Sequence, residues 1–160
     1  MTNSDEFYIY SINVEGGTRR LASPLPSEFT NQHGLCNEAT AGEFIDGDGP
    51  EHFTPNPEFV RFMQWALAKH APAAPGFQSQ AEKQPDGPTY IVDIRSIMQG
   101  KEPQQEDLIG VIMLEGGQPK EFKGSAGYKV LTENGFMRIE PWLHQKYLQE
   151  LQEFVINKKA

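Results

Sequence analysis

The residues best suited to chemistry lie together in one segment, residues 23–57. It contains the only cysteine of the chain, Cys36, and two of the four histidines, His33 and His52. A thiol close to an imidazole is a pair that nucleophilic catalysis uses, provided that a third group orients the base. One interpretation is therefore a small enzyme or metal-assisted site built on His33, Cys36, Glu38 and His52.

The same segment offers ligands to metal ions. Zinc would need His33, Cys36, His52 and one carboxylate to converge, and the usual paired cysteine signature is absent. Asp46-Gly47-Asp48-Gly49 resembles the start of a calcium loop, but the position of the bidentate Glu is occupied by Pro57. We therefore predict no cofactor. The candidate ligands of a looser cation site are Glu43, Asp46, Asp48 and Glu51.

The distribution of charge gives the clearest signal. The net charge is −8, from 22 acidic and 14 basic residues. All of it belongs to the first 60 residues, and seven acids lie between Glu28 and Glu58, a range without Lys or Arg. Such a surface repels phosphate backbones, so nucleic-acid binding is not expected. It attracts a basic protein surface instead.

These charges favour a non-enzymatic protein-binding module of the inhibitor, immunity or adaptor type, which engages a basic protein partner. Acidic side chains would steer association, and nearby aromatic rings would serve as apolar anchors. The residues that we predict to contact the partner are Glu38, Glu43, Phe44, Asp46, Asp48, Glu51 and Phe53.

The elements that flank this segment must position it. An aromatic and β-branched run predicts a strand over residues 7–14, and Asn56-Pro57-Glu58 predicts a capped helix over residues 57–70. Because Pro, Gly, Asn and Asp are frequent between them, we predict a long acidic loop over residues 23–57. A stretch rich in Pro and Gln predicts a linker over residues 71–88.

The second half of the chain is rich in strand and hairpin signals. The apolar run at 107–114 predicts a central strand, and Asn134-Gly135 predicts the two-residue turn of a hairpin. Asp93 and Arg95 are interpreted as a surface pair on one strand. Apolar positions at helical spacing predict a final helix over residues 141–156.

These elements predict one α+β domain over residues 1–160. Its sheet is mostly antiparallel, with about five to six strands, and the helices at 57–70 and 141–156 pack on it. A single cysteine offers no disulfide framework, no apolar run approaches the length of a membrane span, and the first residues lack a secretory signal. We expect a soluble cytoplasmic protein that does not bind membranes.

Overall fold

The computed structural model describes residues 7–159, and within them the predicted α+β class is confirmed. The strands are distributed among three antiparallel sheets rather than gathered in one. Pro55 and Pro88, which lack an N–H donor, lie on edge strands of the two larger sheets, as is usual for proline in a sheet.

The first sheet has four strands that follow one another in chain order, and each strand is antiparallel to its neighbour. A short helix and a 3-10 turn at Asn37–Ala39 connect its second strand to its third. The elements are β1 (Tyr8–Val14), β2 (Gly17–Ser23), α1 (Ser27–His33), β3 (Gly42–Phe44) and β4 (Phe53–Pro55).

The second sheet has three strands and the third is a two-stranded hairpin. A short helix, α4 (Arg95–Met98), follows the first strand of the second sheet. The strands are β5 (Gly87–Val92), β6 (Leu108–Glu115), β7 (Gln118–Gly124), β8 (Leu131–Thr132) and β9 (Gly135–Phe136).

Two long helices complete the core, α2 (Pro57–His70) and α5 (Pro141–Lys159). The side chain of Asn56 accepts a hydrogen bond from the Glu58 N–H at 3.2 Å, which is the predicted cap of α2. The two helices pack against each other, and α2 also contacts β6 and β7. None of the helices in residues 7–159 has both the length and the apolar character needed to cross a membrane.

The predicted linker at 71–88 is an ordered part of the fold. A 3-10 turn at Ala71–Ala73 leads into helix α3 (Pro75–Lys83), and Ala81 is buried against the core. The prolines mislead because Pro75 occupies the first turn of α3, where a missing N–H leaves no hydrogen bond unmade.

The predicted hairpin is present with its turn shifted by one residue. Thr132 pairs with Gly135, so Glu133 and Asn134 form the turn, and Gly135 begins β9 at a φ of 105°. The Asn134 side chain accepts a hydrogen bond from Lys101 at 2.7 Å and donates one to Ser96 at 3.2 Å. These contacts fix the Asn134 side chain in a turn formed by Glu133 and Asn134, instead of the expected turn of Asn134 and Gly135.

Candidate functional site

In the structure, acidic side chains of residues 23–57 form ion pairs with bases from other elements of the fold. Arg19 on β2 makes two hydrogen bonds to the Glu43 carboxylate, at 2.9 and 2.7 Å, and these bonds hold the pKa of Glu43 below its usual value. The adjacent Arg20 forms an ion pair with Asp48 and donates a hydrogen bond to the Gly47 carbonyl at 2.5 Å. The first sheet thus supplies bases that fix part of the acidic surface.

Two further acids of the segment meet bases from the helices. Lys158 on α5 donates a hydrogen bond to Glu38 at 2.8 Å and lowers the pKa of that carboxyl. Arg61 on α2 pairs with Glu58 one turn away. Four of the seven acids therefore pair with a Lys or Arg. The sequence predicted more unpaired negative charge than the structure shows. Among the described residues, the three acids without a Lys or Arg partner are Glu28, Asp46 and Glu51.

Three exposed acids, Asp46, Asp48 and Glu51, lie on the connection between β3 and β4, which we call the acidic tip (residues 46–51). The tip is closed at its base, because the Ile45 N–H donates to the His52 carbonyl at 2.8 Å. Asp46 adopts a left-handed backbone with a φ of 60°. The side chains of Asp48 and Glu51 are 87% and 72% exposed. The tip therefore presents carboxylates to solvent from a compact turn.

Phe44 and Phe53, the two aromatic residues predicted to contact a partner, pack against other aromatic rings of the protein and so help to position the acidic tip. The Phe44 and Phe53 rings meet edge to face at 5.1 Å, and each ring also contacts Phe136 on β9, at 6.3 and 5.8 Å. Phe136 in turn stacks on Phe7 at 4.7 Å. This aromatic cluster joins β3 and β4 to the β8–β9 hairpin, so both rings have a structural role that the sequence did not reveal.

A concave surface separates the acidic tip from the β8–β9 hairpin. It encloses about 360 Å³, and a smaller depression of about 140 Å³ shares part of its wall and extends to Phe53, Pro55 and Val130. We call both together the hairpin groove. The larger depression is lined by Pro50, Glu51, Glu106, Lys129, Leu131, Thr132 and Glu133.

Sequence reasoning missed Glu106 and Glu133 as members of this surface. Each lies more than 50 positions from the acidic tip along the chain, among residues whose acids and bases balance. No local pattern links them to Glu51, because only the folding of β8 and β9 beside the tip brings the three carboxylates to one groove.

The walls of the hairpin groove are held by Arg95, which is buried with only 2% of its side chain exposed. The interpretation of Asp93 and Arg95 as a surface pair is therefore wrong. The guanidinium of Arg95 donates to the Asp107 carboxylate at 2.8 Å and to four backbone carbonyls. The carbonyls are those of Glu106, Lys129, Val130 and Gly135, at 3.2, 2.6, 2.9 and 3.2 Å.

The two buried aspartates complete this network. Asp93 accepts hydrogen bonds from the Tyr128 hydroxyl at 2.6 Å and from the Arg138 N–H at 3.1 Å, and burial raises the pKa of Asp93. Burial also opposes ionisation of Asp107, yet its hydrogen bonds from Ser96, the Gln104 N–H and Arg95 together lower its pKa. The network links the end of β5 to both sides of the β8–β9 hairpin.

The structure shows a contact between two of the four residues proposed for a Cys–His site, Cys36 and Glu38. Cys36 is half-buried before the 3-10 turn, and hydrogen bonds from Lys158 and from Cys36 both lower the pKa of Glu38. The His33 ring packs on Phe29, with 4.6 Å between centroids. His52 lies at the base of the acidic tip.

The candidate metal ligands do not converge among the described residues. Within residues 7–159, no group of three or more His, Cys, Asp or Glu side chains is placed to hold a metal ion. Glu43 and Asp48, two of the four carboxylates considered, are instead engaged by Arg19 and Arg20. The segment has the residue types that zinc or calcium would use, but not their arrangement.

No protein-family model, curated protein or solved structure gives a significant match to this chain. The charges and packing of the acidic tip and the hairpin groove are therefore the basis of the functional proposal.

Proposed function

We propose that this chain is a protein-binding module, of the inhibitor, immunity or adaptor type, whose acidic tip engages a basic surface of a protein partner. The observation that carries the proposal is the exposure of Asp48 and Glu51, at 87% and 72%, on a closed turn. Carboxylates held in this way accept hydrogen bonds from Arg and Lys side chains, which are the donors that a basic protein surface provides.

The charge of the whole chain supports association with such a partner. The net charge is −8, and the first 60 residues, which include the tip, contain ten acids and two bases. A field of one sign raises the rate at which an oppositely charged protein meets the surface. The ion pairs of Arg19 and Arg20 reduce this field locally, but Asp48 remains largely exposed although it is paired.

The tip is also shaped before a partner arrives. The hydrogen bond between Ile45 and His52 closes its base, and Arg20 bridges the Gly47 carbonyl and the Asp48 carboxylate. A loop that is already ordered loses less conformational entropy on binding than a flexible loop of the same composition. Affinity can therefore come from a few exposed carboxylates.

Differential capture tests this proposal. The wild-type chain and two triple variants are immobilised and exposed to an extract of the cells that produce the protein. The tip variant is Asp46→Asn/Asp48→Asn/Glu51→Gln, and asparagine tolerates the left-handed backbone at position 46. The control variant, Glu115→Gln/Glu121→Gln/Glu153→Gln, removes the same charge from exposed positions outside the tip.

We expect a basic protein to be retained by the wild type and the control, lost from the tip variant, and released by added salt. The proposal is contradicted if every protein that the wild type retains is retained equally by the tip variant.

A further inference from the structure

The lining of the hairpin groove combines apolar residues with carboxylates. Pro50 and Leu131 line both of its depressions, and the smaller one continues over Phe53 and Val130. The carboxylates among the lining residues are those of Glu51, Glu106 and Glu133. An occupant that matches this surface has an apolar stem and a cationic end.

An arginine side chain has this composition. Its methylene stem covers apolar surface while the charged head stays near water. Its planar fork of five N–H donors is suited to carboxylates and is more weakly hydrated than an ammonium group. The larger depression, of about 360 Å³, is small for a ligand pocket, which suits a single side chain. We infer that the hairpin groove receives an arginine side chain of the basic partner, an inference that rests on the proposed function of the acidic tip.

The groove is formed in the free protein. Arg95 holds the backbone on one side through the carbonyls of Glu106, Lys129 and Val130. On the other side, the contact between Phe53 and Phe136 fixes β4 against the hairpin. Because the walls are anchored from inside, an incoming side chain does not need to order them first.

Among the described residues, Lys129 is the one base that lines the groove, and it opposes the proposed occupant. Its backbone is engaged by Glu106 and Arg95, whereas its side chain is exposed and lies within 4.0 Å of no carboxylate among the described residues. Removal of this charge leaves the backbone contacts in place and makes the groove more negative. A substitution here should strengthen binding, a result that misfolding does not imitate.

The test uses the full chain labelled with ¹⁵N and two short peptides, acetyl-Leu-Arg-Leu-amide and its citrulline analogue. Citrulline preserves the shape of arginine without its charge. We expect the arginine peptide to shift the backbone amides of residues 50–53 and 129–133 and to bind about 2–5-fold more tightly than the citrulline peptide, as an exposed ion pair would allow.

The variants give the sharper comparison. We expect Lys129→Gln to tighten binding of the arginine peptide and Glu133→Gln to weaken it, each by about 2–5-fold. The control Lys123→Gln, at an exposed lysine on β7 that does not line the groove, should leave the affinity within about 1.5-fold of the wild type, as expected for a distant exposed charge.

Equal binding of the two peptides, or an affinity that Lys129→Gln does not change, overturns the inference. These outcomes leave the proposed function intact if the tip variant still loses its captured protein. Conversely, a groove that selects arginine, with capture that the tip variant does not affect, supports the groove and contradicts the proposed role of the tip.

Discussion

Arg95 brings together parts of the chain that are distant in sequence. It bonds to Asp107, 12 positions away, and to the carbonyls of Val130 and Gly135, 35 and 40 positions away. Removal of a guanidinium from water costs several kcal/mol, which close carboxylates and carbonyl acceptors offset. The same bonds place Glu106 and Lys129 at the hairpin groove, so one buried side chain supports both the fold and the candidate binding surface.

The first prediction concerns this residue. Arg95→Gln should lower the free energy of unfolding by about 3–5 kcal/mol, because it leaves Asp107 and Asp93 buried without their cation. Arg95→Lys, which retains the charge but loses the fork, should fall between this variant and the wild type. Urea denaturation followed by circular dichroism measures the difference.

Arg19→Gln is the matched control for the Arg95 variants. Arg19 also makes two bonds to a carboxylate, but its side chain is 53% exposed. Its loss should cost at most about 1 kcal/mol. Comparable losses from the Arg19 and Arg95 variants would contradict a special role for the buried network.

The sequence could not place these residues because the relevant contacts are not local. Asp93 and Arg95 look like a pair on one face of a strand, yet β5 ends at Val92 and α4 begins at Arg95. Their burial depends on the β8–β9 hairpin, which folds over them. The same holds for Glu106 and Glu133, whose membership of the groove depends on a neighbour more than 50 positions distant.

At the scale of elements, the long helices were predictable and the acidic segment was not. The helix α2 has a local cap at Asn56 and apolar residues at helical spacing, and both signals are read from adjacent positions. The predicted loop at 23–57 contains α1, β3 and β4, because these short elements are stabilised by tertiary contact rather than by propensity. The aromatic cluster around Phe136 is one such contact.

A prediction at this scale concerns the attachment of the hairpin to the tip. Phe136→Ala should lower the free energy of unfolding by about 2–4 kcal/mol, slightly below the range for fully buried phenylalanine because this ring is half-buried. It should also shift the amide resonances of β3 and β4, which Phe136 contacts through Phe44 and Phe53. Urea denaturation and ¹⁵N correlation spectra measure the two effects.

Phe154→Ala provides the comparison. Phe154 is also half-buried, but it packs on Phe62 between α5 and α2, at 5.0 Å between centroids. Its loss should destabilise the fold without moving the β3 and β4 resonances. If both variants perturb those strands equally, the aromatic cluster does not position the acidic tip.

For the whole molecule, the sequence established an asymmetry of charge that the fold only partly offsets. The first 60 residues hold all of the net charge of −8. Two bases from outside this range, Arg61 and Lys158, form ion pairs with acids within it. Composition gives the sign of the net charge. The position of the exposed acids, on the tip and beside the groove, required the structure.

The association rate of the basic partner isolated by differential capture is the most direct test of the proposed function. It is measured by stopped flow at increasing salt for the wild type, the tip variant and the control variant. We predict that the wild-type rate falls by about tenfold or more between low and high ionic strength. The tip variant should associate more slowly at low salt and show a flatter dependence, while the control keeps most of the wild-type slope. A wild-type rate that is independent of salt, or equal slopes for the two variants, would contradict the account.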